Sequence, residues 1–264
     1  MLRIATTAIL MGTTAFSVAS EKPMTKQEIA SAERAEAVTI PTGGEFFAAM
    51  DKASSPPWGQ FVKVVSAPPS DSRERITLIL GTLVADGYVA VEAQDGQSVK
   101  NVGKEILAHA KKLNLSQSVM GRAGSINDFA DANDWNALRE ELEATQNEVK
   151  LDMNDQSDDR LITLVSLGAW VRGADIASGV VAGAYTPEAA KVLRQPAIVE
   201  YLIERVDALP ENTRSDKLVA AIRTGLQEAL PLLSEKTLSA GQVTELHTRM
   251  AALYAIILGT AAGT

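Results

Sequence analysis

ITLILGTLVADGYVAV, residues 76–91, and LITLVSLGAWVRGADIASGVVAGA, residues 161–184, decide the fold. Both carry apolar residues on every face of a helix, and a helix that is apolar all round is buried. The first follows Asp71, with Glu74 three residues on, and is expected to run to about Ala93, before the break at Asp95-Gly96. The second follows Ser157-Asp158-Asp159, which caps a helix and places acids at the positive end of its dipole.

The charges inside these stretches stand out because there are so few. Asp86 is the only one between Ile76 and Val91, and its helical neighbours are Ile79, Thr82, Leu83, Val89 and Ala90. Between Leu161 and Ala184 there are only Arg172 and Asp175, spaced to pair along one helix. A lone buried carboxylate costs several kcal/mol unless it finds a partner. Asp86 and Arg172 are therefore expected within salt-bridge reach in the core. Two readings follow: a satisfied pair that fixes helix register, or a polar ligand pocket lined by Asp86, Trp170, Arg172 and Asp175. The same charges oppose a transmembrane reading of 161–184, since each costs about 2.5–3.5 kcal/mol at a bilayer centre.

The two stretches also resemble each other. Ile76-Thr77-Leu78 recurs as Ile162-Thr163-Leu164, and Leu80-Gly81 as Leu167-Gly168, one residue out of register with the first match. A duplicated half with pseudo-twofold symmetry would bring Asp86 to Arg172. Small residues recur four apart, at Ala169, Gly173 and Ala177 and again at Gly179 and Gly183, which points to close backbone approach in a core crossing.

Around this pair the sequence reads as amphipathic helices. Thr42-Gly43-Gly44-Glu45 is a capping box for a short helix burying Phe46, Phe47 and Met50. Prolines 56, 57, 68 and 69 bracket an irregular stretch anchored by Trp58 and Phe61, with a short strand possible over Gln60–Ser66. Val99, Val102, Ile106, Ala110 and Leu113 share one side of a helix whose other faces carry Lys100, Lys104, Lys111 and Lys112. A short helix over 118–131 follows, then one from Asp134 with Trp135, Leu138, Leu142, Val149 and Met153 inward. Thr186-Pro187-Glu188 opens a further helix, which Pro196 splits. Ser215 or Asp216 begins another, expected to stop at Pro231, and the capping box Ser239–Gln242 begins the last, with Val243, Leu246, Met250, Leu253, Tyr254 and Ile257 inward. The expected fold class is all-α: a single bundle of about eight to ten helices over residues 44–264, two apolar central helices covered by amphipathic ones.

The amino terminus, MLRIATTAILMGTTAFSVAS, has the layout of a secretory signal peptide: Arg3, an uncharged run Ile4–Phe16, then small residues at Ser17 and Ala19. The run is too short to span a bilayer, which takes about 20 residues. Cleavage after Ala19 or Ser20 would leave an arm, residues 21–43, with Ile29 as its only large apolar residue. The expected address is exported: periplasmic, or alternatively extracellular. With no cysteine, the chain has no disulfide, thiol nucleophile or thiolate metal site. A net charge of −8 without a basic cluster argues against nucleic acid or anionic membrane as partner.

No catalytic motif is present. Asp152-Met153-Asn154-Asp155-Gln156-Ser157 lacks the glycine and glutamate of a calcium loop, since Ser157 and Thr163 stand there. The two histidines, His109 and His247, show no metal spacing, and His109 is expected half-exposed beside lysines. No cofactor or metal is expected. The leading expectation is a non-enzymatic exported protein that acts by association with a protein partner or with itself, through the arm and the Pro/Trp segment 54–69. The alternatives are a small-molecule binding protein with its pocket between the central helices, and an enzyme using buried carboxylates.

Overall fold

Two glycines set the centre of the molecule. In the computed structural model, which describes residues 43–63, 70–114, 120–155 and 159–260, α2 (Arg73–Glu92) and α6 (Asp159–Gly183) pack in direct backbone contact. A Cβ on Gly81 would lie 2.8 Å from the Ala169 nitrogen and closer still to the Val165 carbonyl oxygen. A Cβ on Gly168 would lie 2.9 Å from the Leu78 carbonyl carbon, and closer still to its oxygen. These contacts are reciprocal: equating Gly81 with Gly168 also equates Leu78 with Val165. Asp86 also meets Arg172 on the C-terminal side of both glycines, so the two helices run in the same direction, in the register of the Leu-Gly match. The likeness is confined to this pair. The cover of α2 is the next helix in the chain, α3 (Gly96–Lys112), whereas that of α6 is α10 (Ala240–Leu258), the last.

The remaining helices fall into place around the pair. α1 (Gly43–Ser54) lays Phe47 against Tyr88 of α2. α3 packs on α2, α4 (Ala123–Ala132) on α3, and α5 (Trp135–Asp155) on both α2 and α4. On the other side α9 (Lys217–Ser234) packs on α10 and on α7 (Pro196–Asp207), with the one-turn α8 (Glu211–Arg214) leading into α9. The described residues are thus all-α, with ten α-helices, two 3-10 turns and no strand. The central helices are covered as the apolar pattern requires: every residue from Ile76 to Val91 is buried.

Caps explain most boundaries. Ser239 and Gln242 form the expected reciprocal capping box. Asp95 accepts from the Ser98 nitrogen and Asp216 from those of Leu218 and Val219. Arg75 closes the far end of α10, its Nη1 donating to the carbonyls of Ile256 (2.8 Å) and Ile257 (2.6 Å) before Gly259 turns at φ 73°.

Local signals misplace several details. Ser72, not Asp71, caps α2, because the hydroxyl one residue closer meets the Arg75 nitrogen. Thr186 does cap, accepting from the Ala189 nitrogen, but the chain continues only as the 3-10 turn Ala189–Leu193, and the α-helix restarts with Pro196 at its first turn. Pro231 does not stop α9, which continues to Ser234 because Leu233 is buried beyond it and one lost backbone bond is tolerated. The short helix expected over 118–131 is described as α4, ending at Asn133 in the left-handed region with φ 55°. Gln60 closes the 3-10 turn Trp58–Gln60 instead of opening a strand, and 64–69 lie outside the described residues. His109 is buried, its Nδ1 2.8 Å from the Glu105 carbonyl, not half-exposed. The signal peptide 1–20 and nearly all of the arm 21–43 lie outside the described residues.

Candidate functional site: a buried ionic cluster

Asp86 and Arg172 lie at matching heights on α2 and α6, one to two turns beyond the glycine contact. The Arg172 Nε donates to Asp86 Oδ1 at 2.7 Å. Its Nη1 donates to Asp175 Oδ2, one turn on, at 2.5 Å. Its Nη2 donates to the main-chain carbonyl of Phe61 at 3.1 Å. The guanidinium carbon stands 4.5 Å from the Tyr254 ring centroid, and the Tyr254 hydroxyl donates to Asp86 Oδ2 at 3.3 Å. Four elements thus meet on one side chain: α2, α6, α10 and the segment after the 3-10 turn.

The cluster is closed. Arg172 is 1% exposed, Asp86 3% and Asp175 2%. Burial pushes the Asp86 carboxyl above its ordinary range and outweighs the pull of Arg172. Burial likewise pushes the Tyr254 hydroxyl up, with the Asp86 charge adding to it. With every group ionised, two carboxylates share one guanidinium, and Asp175 Oδ1 accepts no hydrogen bond.

Of the four residues the sequence nominates, three come together and Trp170 does not. Two positions from Arg172 on a helix, it points to another face, where its Nε1 donates to Gln195 at 3.3 Å. Sequence reasoning placed Tyr254 inward but not at the cluster, and missed His247; both enter from α10. The His247 Nδ1 lies 3.1 Å from the Asp175 carbonyl, 3.4 Å from Asp175 Oδ1 and 3.5 Å from Ser178 Oγ. A signal for His247 is Gly179, where a Cβ would lie 3.0 Å from both the His247 and Phe61 rings.

An aspartate, a histidine and a serine in contact invite comparison with a hydrolytic triad. The geometry does not fit one. A triad uses the two imidazole nitrogens for different partners, carboxylate on one and nucleophile on the other. Here both approach Nδ1. The Ser178 hydroxyl is buried and already donates to the Ala174 carbonyl at 2.6 Å. Among the described residues no group of three histidines, aspartates or glutamates is arranged to hold a metal.

Two cavities of about 330 Å³ each lie away from the cluster. One is bordered by Pro56, Pro57, Trp58, Gly59 and Gln60 against Glu92 and Ala93. The other lies between α3 and α4. The first has a rigid border: Trp58 is buried edge-on to Phe47 at 5.8 Å, and its Nε1 donates to Asp51 at 2.9 Å. Glu92, on the opposite wall, is held by Arg139 through two bonds of 2.7 and 3.0 Å.

α6 is long and apolar enough to cross a membrane, but most of it is buried inside the bundle, with Arg172 and Asp175 turned to the interior. No family model matches the chain, and no curated protein and no solved structure is significantly similar to it. Fold and site together define an all-α bundle whose central arginine finds all its polar partners within the chain.

Proposed function

We propose that this is an exported, non-enzymatic helical protein that acts by association, docking a protein partner or a second copy of itself on the border formed by Ser55–Gln60. The observation that carries this reading is the cavity beside Pro56–Gln60. Pro57, Gly59 and Gln60 are exposed around it, while Pro56 and Trp58 are buried beneath. Two prolines and an anchored tryptophan leave little conformational freedom to lose, and preorganisation of this kind favours binding. The buried cluster supports the reading from the other side, because Arg172 has its polar contacts met by the chain itself.

Export rests on the layout of residues 1–20, and a cysteine-free chain suits a compartment where thiols are oxidised. The proposed address is the periplasm, with full secretion as the alternative, and the proposed partners include neither nucleic acid nor a lipid bilayer.

Gly59→Arg tests the docking reading. A side chain at Gly59 meets nothing within 4 Å, so the variant should keep its melting temperature while placing bulk and charge at the cavity. Gly241→Arg, equally unobstructed, is the control. Cross-linking in cells of the source organism, with sedimentation for self-association, should show a specific species for wild type and Gly241→Arg and its loss for Gly59→Arg. The same species in all three would overturn the assignment. Sequencing the mature amino terminus should give Ser20 or Glu21, and an intact Met1 would remove the export step.

A further inference from the structure

The second cavity, between α3 and α4, has a chemistry of its own. The two helices approach closely at Gly103, where a Cβ would lie 3.4 Å from Ile126. Beside that contact is a depression of about 330 Å³ with an apolar floor of Leu107, Ala123 and Ile126 and a polar rim of Lys100, Lys104 and Asn127. This is the lower end of the size range of small-ligand sites, which run from roughly 300 to 1,000 Å³.

The rim carries unbalanced charge. Lys100 and Lys104 are one turn apart on the same face of α3, and like charges at that spacing disfavour a helix. Asp131 of α4 neutralises Lys100. Lys104 is exposed and makes no ion pair among the described residues. Three turns from Lys100 the same face carries Lys111, outside the cavity. A chain of net charge −8 thus leaves Lys104, without an ion pair among the described residues, on the rim of an apolar groove.

We propose that this groove binds a short single-chain anionic amphiphile, its alkyl chain on Leu107, Ala123 and Ile126 and its carboxylate or sulfate head on Lys104. An apolar floor alone would accept any small hydrophobe, and a lone surface lysine would hold an anion weakly. The juxtaposition selects a molecule that carries both. The site is independent of the docking border at Pro56–Gln60 and of the buried cluster.

Decanoate is the probe, titrated into the full chain and followed by amide chemical shifts and calorimetry. Saturable shifts centred on Lys104, Leu107 and Ile126 are expected, with decanol at least tenfold weaker and inorganic phosphate without effect. Lys104→Glu should weaken decanoate at least tenfold, whereas Lys111→Glu should leave it unchanged; circular dichroism confirms that both fold. Sedimentation with vesicles of anionic or zwitterionic phospholipid separates the two sources of such a head. Decanoate binding without vesicle binding is expected, and vesicle binding abolished by Lys104→Glu would overturn the assignment to a free single-chain amphiphile. Equal affinity for decanol, equal losses in the two lysine variants, or no response to decanoate would each overturn the proposal.

Discussion

Of the arginines that sit between two acids, Arg172 and Arg122 teach opposite lessons. Arg172 joins Asp86 and Asp175 with its side chain 1% exposed. Arg122 joins Glu141 and Glu148 with its side chain 29% exposed. The bond lengths are similar: 2.7 and 2.5 Å at Arg172, against 3.1 and 2.5 Å at Arg122. What differs is access to water. If one partner is removed at the surface, solvent replaces it. In the core, two carboxylates lose the charge that keeps them buried. The same three-group motif is therefore a fastening in one place and a minor surface contact in the other.

The largest expected effect tests that contrast at the buried end. Arg172→Leu should lower unfolding free energy by about 3–5 kcal/mol, because it strands Asp86 and Asp175 and leaves the Phe61 carbonyl without its donor. Replacing all three charges with apolar residues of similar volume should recover much of that loss, as buried ion pairs often tolerate joint removal. A single variant that is destabilised beside a triple that is not separates a structural cluster from a ligand site.

Next in size is the contact that sets the cluster's height. Gly168→Ala should cost about 1–3 kcal/mol by denaturant unfolding, since its methyl group meets backbone, which cannot rotate away. Gly173→Ala on the same helix meets nothing within 4 Å and should instead stabilise by up to about 1 kcal/mol through helix propensity. Similar losses in both would mean that the close approach of α2 and α6 is not what places Asp86 opposite Arg172.

The smallest effect is expected at the exposed arginine. Arg122→Leu should change stability by less than about 1 kcal/mol, and high salt should shrink the difference further. A loss comparable to that of Arg172→Leu would erase the contrast.

Much of the fold was legible because its central signal is compositional. Two all-apolar helices with three charges between them had to be buried, and the charges had to meet. The Asp86–Arg172 bond follows from that pressure alone. The register was only half legible: Leu80-Gly81 and Leu167-Gly168 do match across the contact, but Ile76-Thr77-Leu78 and Ile162-Thr163-Leu164 match one residue out of step, and the small-residue rows pointed to Gly173 and Gly183, where a Cβ would meet nothing within 4 Å. The contacts of Tyr254 and His247 were not legible. Both lie on α10, at the far end of the chain: helical spacing marks Tyr254 as inward but not what it meets, and nothing local marks His247. Trp170 was misassigned for the converse reason: sequence proximity to Arg172 is not proximity on a helix surface. Pro231 and Thr186 show the limits of punctuation signals, since tertiary burial of Leu233 outweighs the proline and a cap alone does not lengthen a one-turn segment.

Chemical denaturation of Arg172→Leu beside Arg122→Leu sets the buried fastening against the surface contact. The expected loss is about 3 kcal/mol or more for the first and less than about 1 kcal/mol for the second. An Arg172→Leu protein as stable as wild type would contradict it and return Arg172 to the role of a ligand-binding group.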